Sequence, residues 1–278
     1  MPAHALSAAL LGGCTAQSGQ WLSRRPAARR AQPARCAASN EQRSGVSSSY
    51  TKVFVAGATG ETGSAVVARL LAEGVAVRAL VRDPASAAAR ALPAAVERVR
   101  GDVADVPALV AAVRGCDAVV CATGVRPSLD PTGPYRVDFI GTVNLVAAAS
   151  KNRVKHFTLV TSIGMEDPLF PLNLAWGVLL CKKQGEEALQ RSGLRYTNIR
   201  PGGLRSQGAP APVVVKAGGS YGLPPRAAPS GSILRSQVAE LCVASLTTPA
   251  AANAVVEAVT DAAAPVLAPA ALFEAALR

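Results

Sequence analysis

The segment Val53-Phe-Val-Ala-Gly57-Ala-Thr-Gly60-Glu-Thr-Gly63 narrows the possible folds more than any other part of the chain. A short apolar run meets a glycine-rich turn, and helical spacing follows from Ser64 to Glu73. Val53 to Ala56 reads as a buried strand. Gly57 permits a tight turn, Gly60 lets backbone approach a pyrophosphate, and Gly63 lets the helix pack close to the strand. Phosphates would then meet free N–H groups at the positive end of that helix. The candidate phosphate-binding residues are Gly57, Ala58, Thr59, Gly60, Glu61, Thr62 and Gly63. The competing reading is a glycine-rich turn without a ligand; the order strand, turn, helix favours the dinucleotide site.

The rest of the chain repeats that alternation. Val75–Val81, Val96–Arg100, Asp117 running into Gly124, His156–Ser162, Arg195–Pro201 and Ala254–Thr260 read as strands. Helical segments are expected from Pro84, with Asp83 as its cap, and over Val106–Val113, Arg136–Lys151, Leu174–Arg191, Ser236–Leu246 and Pro269–Leu277. Nearly continuous apolar strands alternating with helices imply an α/β fold with a doubly wound parallel sheet. Ligands bind such a sheet at the carboxyl ends of its strands. Residues 204–229 are rich in Pro, Gly, Ser and Ala without periodicity and read as an irregular loop on the substrate side.

Composition excludes several classes. The 278 residues are 50% hydrophobic, but alanine inflates that figure, and the longest apolar stretch, Phe170–Cys181, is interrupted by Pro171 and Asn173. It falls short of the ~20 residues a spanning helix needs, so no transmembrane segment is expected. Residues 1–45 carry six arginines, no lysine and a single acid, Glu41, as organelle transit peptides do. Arg35-Cys36-Ala37-Ala38 resembles a chloroplast processing site; a disordered basic tail is the alternative.

Without that tail, 23 basic and 17 acidic residues leave about +6 of the total +11. No aromatic-interleaved basic stripe accompanies the excess, so nucleic-acid binding is not expected. Cys116, Cys121, Cys181 and Cys242 have no Cys-x-x-Cys spacing, and His156 is the one histidine beyond the tail. Neither a metal site nor a disulfide framework is expected, and the four cysteines read as buried small apolar residues.

With these elements in order, the chain resembles the atypical short-chain dehydrogenase/reductases of the NmrA-like kind. It is most similar to plastid NAD(P)-binding proteins related to the dehydrogenase-like subunit of the chloroplast inner-envelope translocon. The likeness covers about residues 50–278. It rests on the loop Gly57–Gly63, on Thr132-Gly-Pro-Tyr-Arg-Val-Asp138 and on Gly141-Thr-Val-Asn-Leu145. Leu172-Asn-Leu-Ala-Trp-Gly-Val-Leu179, Lys182-Lys-Gln-Gly-Glu-Glu187 and Ser192–Gly203 are its more specific parts.

The resemblance implies a single NAD(P)-binding Rossmann domain over residues 46–278 and a plastid location. The partner is then a small-molecule substrate or a plastid protein complex, with membrane-surface association as an option. Arg82, ending the second strand, would hold the 2′-phosphate of NADP(H), which is favoured over NAD(H). Asp102 and Val103 would contact adenine, Ala122, Thr123 and Gly124 would pass under the ribose and pyrophosphate, and Pro201 and Gly202 would lie against the nicotinamide. Solvated side chains, strand-end turns and a chain reversal are the competing readings.

Ser162 would hydrogen-bond a substrate carbonyl, unless it merely caps a strand. Lys182 would hold the nicotinamide ribose, with Glu186 on the same helical face as the partner of an alternative solvated pair. Two positions depart from the pattern. Val178 stands where the enzymes place the proton-transferring tyrosine, and valine does no acid–base chemistry. Asp138 stands where many relatives have asparagine. The expected activity is therefore either hydride transfer to a small acceptor without a tyrosine, or non-catalytic sensing of the NADP(H) redox state. The patch around Phe170, Leu172 and Trp176 reads as core, with a substrate wall and a docking surface as the alternatives.

Overall fold

The computed structural model describes residues 49–125, 129–223 and 231–278. The basic segment 1–45, its cleavage motif, Cys14, Cys36 and the end of the 204–229 loop lie outside the described residues.

The first half of the sheet follows the alternation closely: β1 (Lys52–Ala56), α1 (Glu61–Ala72), β2 (Ala76–Val81), α2 (Ala87–Arg90), β3 (Glu97–Arg100), α3 (Val106–Val113) and β4 (Ala118–Cys121). A π-helical turn, Tyr135–Ile140, then runs directly into α4 (Gly141–Lys151). β5 (His156–Val160), α5 (Val178–Gln190) and β6 (Tyr196–Pro201) follow, then β7 (Gly203–Arg205), β8 (Val213–Ala217), β9 (Ser232–Leu234), α6 (Arg235–Thr247), β10 (Ala254–Thr260) and α7 (Pro269–Ala276).

The main sheet has eight strands in the order β3-β2-β1-β4-β5-β6-β10-β8. Seven run parallel and only β8, against β10, is antiparallel. The strand order reverses between β1 and β4, and a cleft opens at such a switch point beyond the carboxyl ends.

Successive side chains of β1 go to opposite faces, as the pleat requires. Val53 and Val55 join the core under α1, α6 and α7; Phe54 and Ala56 join the core under α3, α4 and α5. All four are fully buried, which is why the strand reads as continuously apolar. Each large side chain so buried stabilises the fold by about 2–3 kcal/mol.

Several expectations are corrected. The 204–229 segment is not wholly irregular. Val213-Val-Val-Lys-Ala217 forms the edge strand β8, and Gly203–Arg205 pairs with Ser232–Leu234. Pro210 and Pro212 hid β8 in the sequence, but an edge strand tolerates proline at its entrance.

The helix expected from Leu174 begins only at Val178. Trp176 and Gly177 have φ of +57° and +67°, which no helix continues through, and Pro171–Leu174 is a separate 3-10 turn. Asp83 does not cap a helix at Pro84. It accepts from Ala85 N at 2.8 Å in a local turn, and Ser86 caps α2.

The apolar patch is not core either. Phe170 packs beside Met165, Val178 and Leu179, but Leu172 and Trp176 are 46% and 52% exposed. Among the described residues no helix is long and apolar enough to cross a membrane.

Candidate cofactor and active site

A cavity of about 450 Å³ opens at the switch point, walled by the carboxyl ends of β1, β2, β3 and β4. Its floor is the glycine turn. Gly57 has φ +80°, and a Cβ there would stand 2.5 Å from Ala122 O; one on Gly63 would stand 2.1 Å from Gly57 O. Only glycine fits either position. Gly60 precedes α1 in an extended conformation, and no side chain caps that helix end. The first N–H groups of α1 therefore stay available to an anion.

Of the anticipated cofactor residues, Gly57, Thr59, Gly60, Arg82, Asp102, Val103, Ala122, Thr123 and Gly124 line this one cavity. Ala58 and Gly63 are buried behind it, and Thr62 is half-buried in the first turn of α1. The Glu61 side chain is engaged elsewhere: Arg235 Nε lies 3.1 Å from it, and Ser206 Oγ donates to it at 2.6 Å. That contact ties β7 and α6 to the start of α1. Pro201 and Gly202 are buried at the end of β6, where Gly202 N donates to Ala258 O.

The charges around the cavity are uneven. Arg82 and Arg136 both line it, are exposed and make no ion pair among the described residues. Arg136 is not anticipated from the sequence, because only the fold brings it to the cavity that Arg82 lines. Asp102 accepts from Ala104 N at 2.9 Å, which orders the turn after β3.

Ser162 follows β5 half-buried, and its hydroxyl makes no hydrogen bond to another described side chain or backbone group. Lys182 does not line the cavity but touches its wall, since a Cβ on Gly124 would lie 3.5 Å from Lys182 Nζ. Its partner is not Glu186. Lys182 Nζ lies 2.6 Å from Asp138 Oδ1, and the Asp138 side chain is completely buried.

Glu186 instead takes Arg200, with contacts of 2.6 and 3.1 Å, and accepts from Thr161 Oγ1 at 3.2 Å. Half-buried Glu166 at 2.9 Å and buried Glu257 at 3.6 Å complete the cluster around buried Arg200. Glu257 also accepts from Gly219 N and Tyr221 N, so this cluster anchors the chain after β8.

Val178 is buried with Met165 and Leu179. Cys116, Cys121 and Cys242 are buried and Cys181 half-buried; burial pushes all four thiols up, Cys242 to about 12. Raised thiols are poor nucleophiles, which argues against a reactive cysteine.

Fold and cavity together define a dinucleotide-binding doubly wound domain. The chain belongs to the NAD(P)H-binding family, whose model matches residues 57–249. It is 42% identical over 227 residues to an uncharacterized chloroplastic protein of Arabidopsis thaliana, covering 77% of this chain and 78% of that one.

It is 41% identical over 216 residues to the chloroplastic protein TIC 62 of Oryza sativa subsp. japonica, covering 69% of this chain but only 43% of that protein. Sanguinarine reductase of Eschscholzia californica is 32% identical over 238 residues, covering 72% of this chain and 85% of the reductase. Among solved structures, a Bacillus halodurans protein described as an NAD-dependent epimerase/dehydratase superposes with a TM-score of 0.69 at 25% identity. The match covers 81% of this chain and 99% of that one.

Proposed function

We propose that this chain is an NADP(H)-dependent, reductase-like plastid protein of the atypical short-chain dehydrogenase/reductase type, passing hydride to a small acceptor without a tyrosine. The observation that carries the reading is the cavity: glycine backbone for a pyrophosphate at its floor, and on its wall the guanidinium of Arg82, which makes no ion pair among the described residues.

The residues fit the cofactor. The Gly57–Gly63 turn and the uncapped start of α1 would hold the pyrophosphate, Arg82 and Arg136 the 2′-phosphate, Asp102 and Val103 the adenine, and Lys182 the nicotinamide ribose. When bound, NADPH supplies the hydride. The protein's own contribution is orientation and the Ser162 hydroxyl, which has no hydrogen-bond partner among the described residues and can donate to a carbonyl or quinone oxygen. With Val178 buried, no side chain there can donate a proton, which favours acceptors that take one from water. Relatives named chloroplastic, and one named a reductase, support the setting and the class.

A second reading is a non-catalytic sensor of the NADP(H) redox state within a plastid protein complex. The apolar Val178 motivates it, and a relative named TIC 62 lends it a setting. Titration with NADPH and NADH, then NADPH oxidation with a flavin and a quinone, separates the two. Turnover that Lys182→Ala lowers supports the reductase; tight binding without turnover supports the sensor.

A further inference from the structure

We propose that Asp138 balances the charge of Lys182 and positions its ammonium, and that this pair sets how the site discriminates oxidised from reduced cofactor. The inference rests on the NADP(H) reading above and adds a residue and a property to it.

The geometry is specific. Asp138 sits in the π-helical turn Tyr135–Ile140, and such turns are frequent at functional sites. One carboxylate oxygen meets Lys182 Nζ at 2.6 Å; the other accepts from Val125 N, on the cavity wall, at 3.3 Å. Close packing fixes the arrangement. A Cβ on Gly185 would stand 2.7 Å from Asp138 O, so α5 lies directly on the turn, and Thr142 Oγ1 donates to the same carbonyl. A Cβ on Gly124 would lie 3.5 Å from the ammonium and 3.7 Å from Asp138 Oδ1, so both charges stand behind one glycine of the cofactor cavity.

The chemistry follows from one difference between the two cofactor forms. The oxidised nicotinamide ring carries a positive charge that the reduced ring lacks. A lysine alone beside the site would disfavour the oxidised form. A buried carboxylate at 2.6 Å offsets that field, whereas an asparagine of the same shape would not. Glu186, the other acid near Lys182 on α5, is committed to Arg200 and cannot substitute.

The test measures dissociation constants of the full chain for NADP+ and NADPH by equilibrium titration, without any turnover assay. Asp138→Asn should raise the ratio Kd(NADP+)/Kd(NADPH) roughly tenfold, the order expected for one unit charge near a protein surface. Lys182→Met should lower the ratio, and the double variant should return it to within about threefold of the parent. If Asp138→Asn does not fold, the opposite shift in Lys182→Met and its reversal in the double variant still decide. A purely structural pair would weaken both cofactors together and leave the ratio unchanged, which would overturn the inference alone. If the parent chain binds neither cofactor, the functional reading falls and takes the inference with it.

Discussion

One turn of α5 separates Val178, buried against Met165 and Leu179, from Lys182, whose Nζ lies 2.6 Å from Asp138 Oδ1. The first position, where a reactive tyrosine would stand, is given to core packing. The second carries a lysine already matched with a buried carboxylate. The helix thus presents a paired charge at Lys182 and no proton donor at Val178.

Val178→Ala is expected to lower stability by about 1–3 kcal/mol through lost burial. NADPH affinity should stay within about twofold, because the side chain points into the Met165 cluster. A thermal melt and a cofactor titration check both. A large loss of affinity without a loss of stability would put Val178 in the cofactor site.

Two glycines at the cavity should separate folding from binding. A Cβ on Gly63 would collide with Gly57 O at 2.1 Å, so Gly63→Ala should destabilise by about 1–3 kcal/mol and abolish binding. Gly124 has room, its nearest neighbour being Lys182 Nζ at 3.5 Å from such a Cβ. Gly124→Ala should melt like the parent yet bind NADPH about tenfold more weakly, because the methyl would pack against the Lys182 ammonium and Asp138 at the cavity wall. Paired melts and titrations of the two variants test this.

Arg82→Ala and Arg136→Ala should each weaken NADPH about tenfold and leave NADH almost unchanged, since only the former carries a 2′-phosphate. Parallel titrations decide. Equal losses for both cofactors would move these arginines to the pyrophosphate.

Stability should fall with acid in a window set by His156. Burial, helped by Arg195, depresses it from 6.5 to about 4. Thr197 Oγ1 donates to Ala251 O, so His156 Nε2–H donates to Thr197 at 3.0 Å, and the other ring nitrogen is buried without a partner among the described residues. A proton added there would have no acceptor. The unfolded chain thus takes up the proton first. Stability is complete above pH 6.5 and declines as pH falls toward 4, by up to about 3 kcal/mol. Urea titrations across this range should show the slope, and His156→Gln, which keeps the Thr197 contact, should flatten it.

What the sequence made legible was whatever lies close together along the chain. The glycine turn, the buried strands and the order of the helices are local patterns, and the structure shows them with boundaries moved by a few residues. What stayed hidden depends on distant partners. The π turn that carries Asp138 has no composition of its own, and Lys182 finds Asp138 across 44 residues rather than Glu186 four positions on. Arg136 and Arg82, 54 residues apart, line one cavity only because of the fold. β8 is a strand because β10 offers it an edge, in spite of the prolines before it. Local rules supplied the frame of the site, and long-range contacts supplied its electrostatics.

The most direct test of the account is titration of the full chain with NADPH and NADH, followed by NADPH oxidation in the presence of a flavin and of a quinone. The account predicts tight, NADPH-selective binding and measurable turnover with at least one acceptor. Failure to bind either nucleotide would contradict it outright.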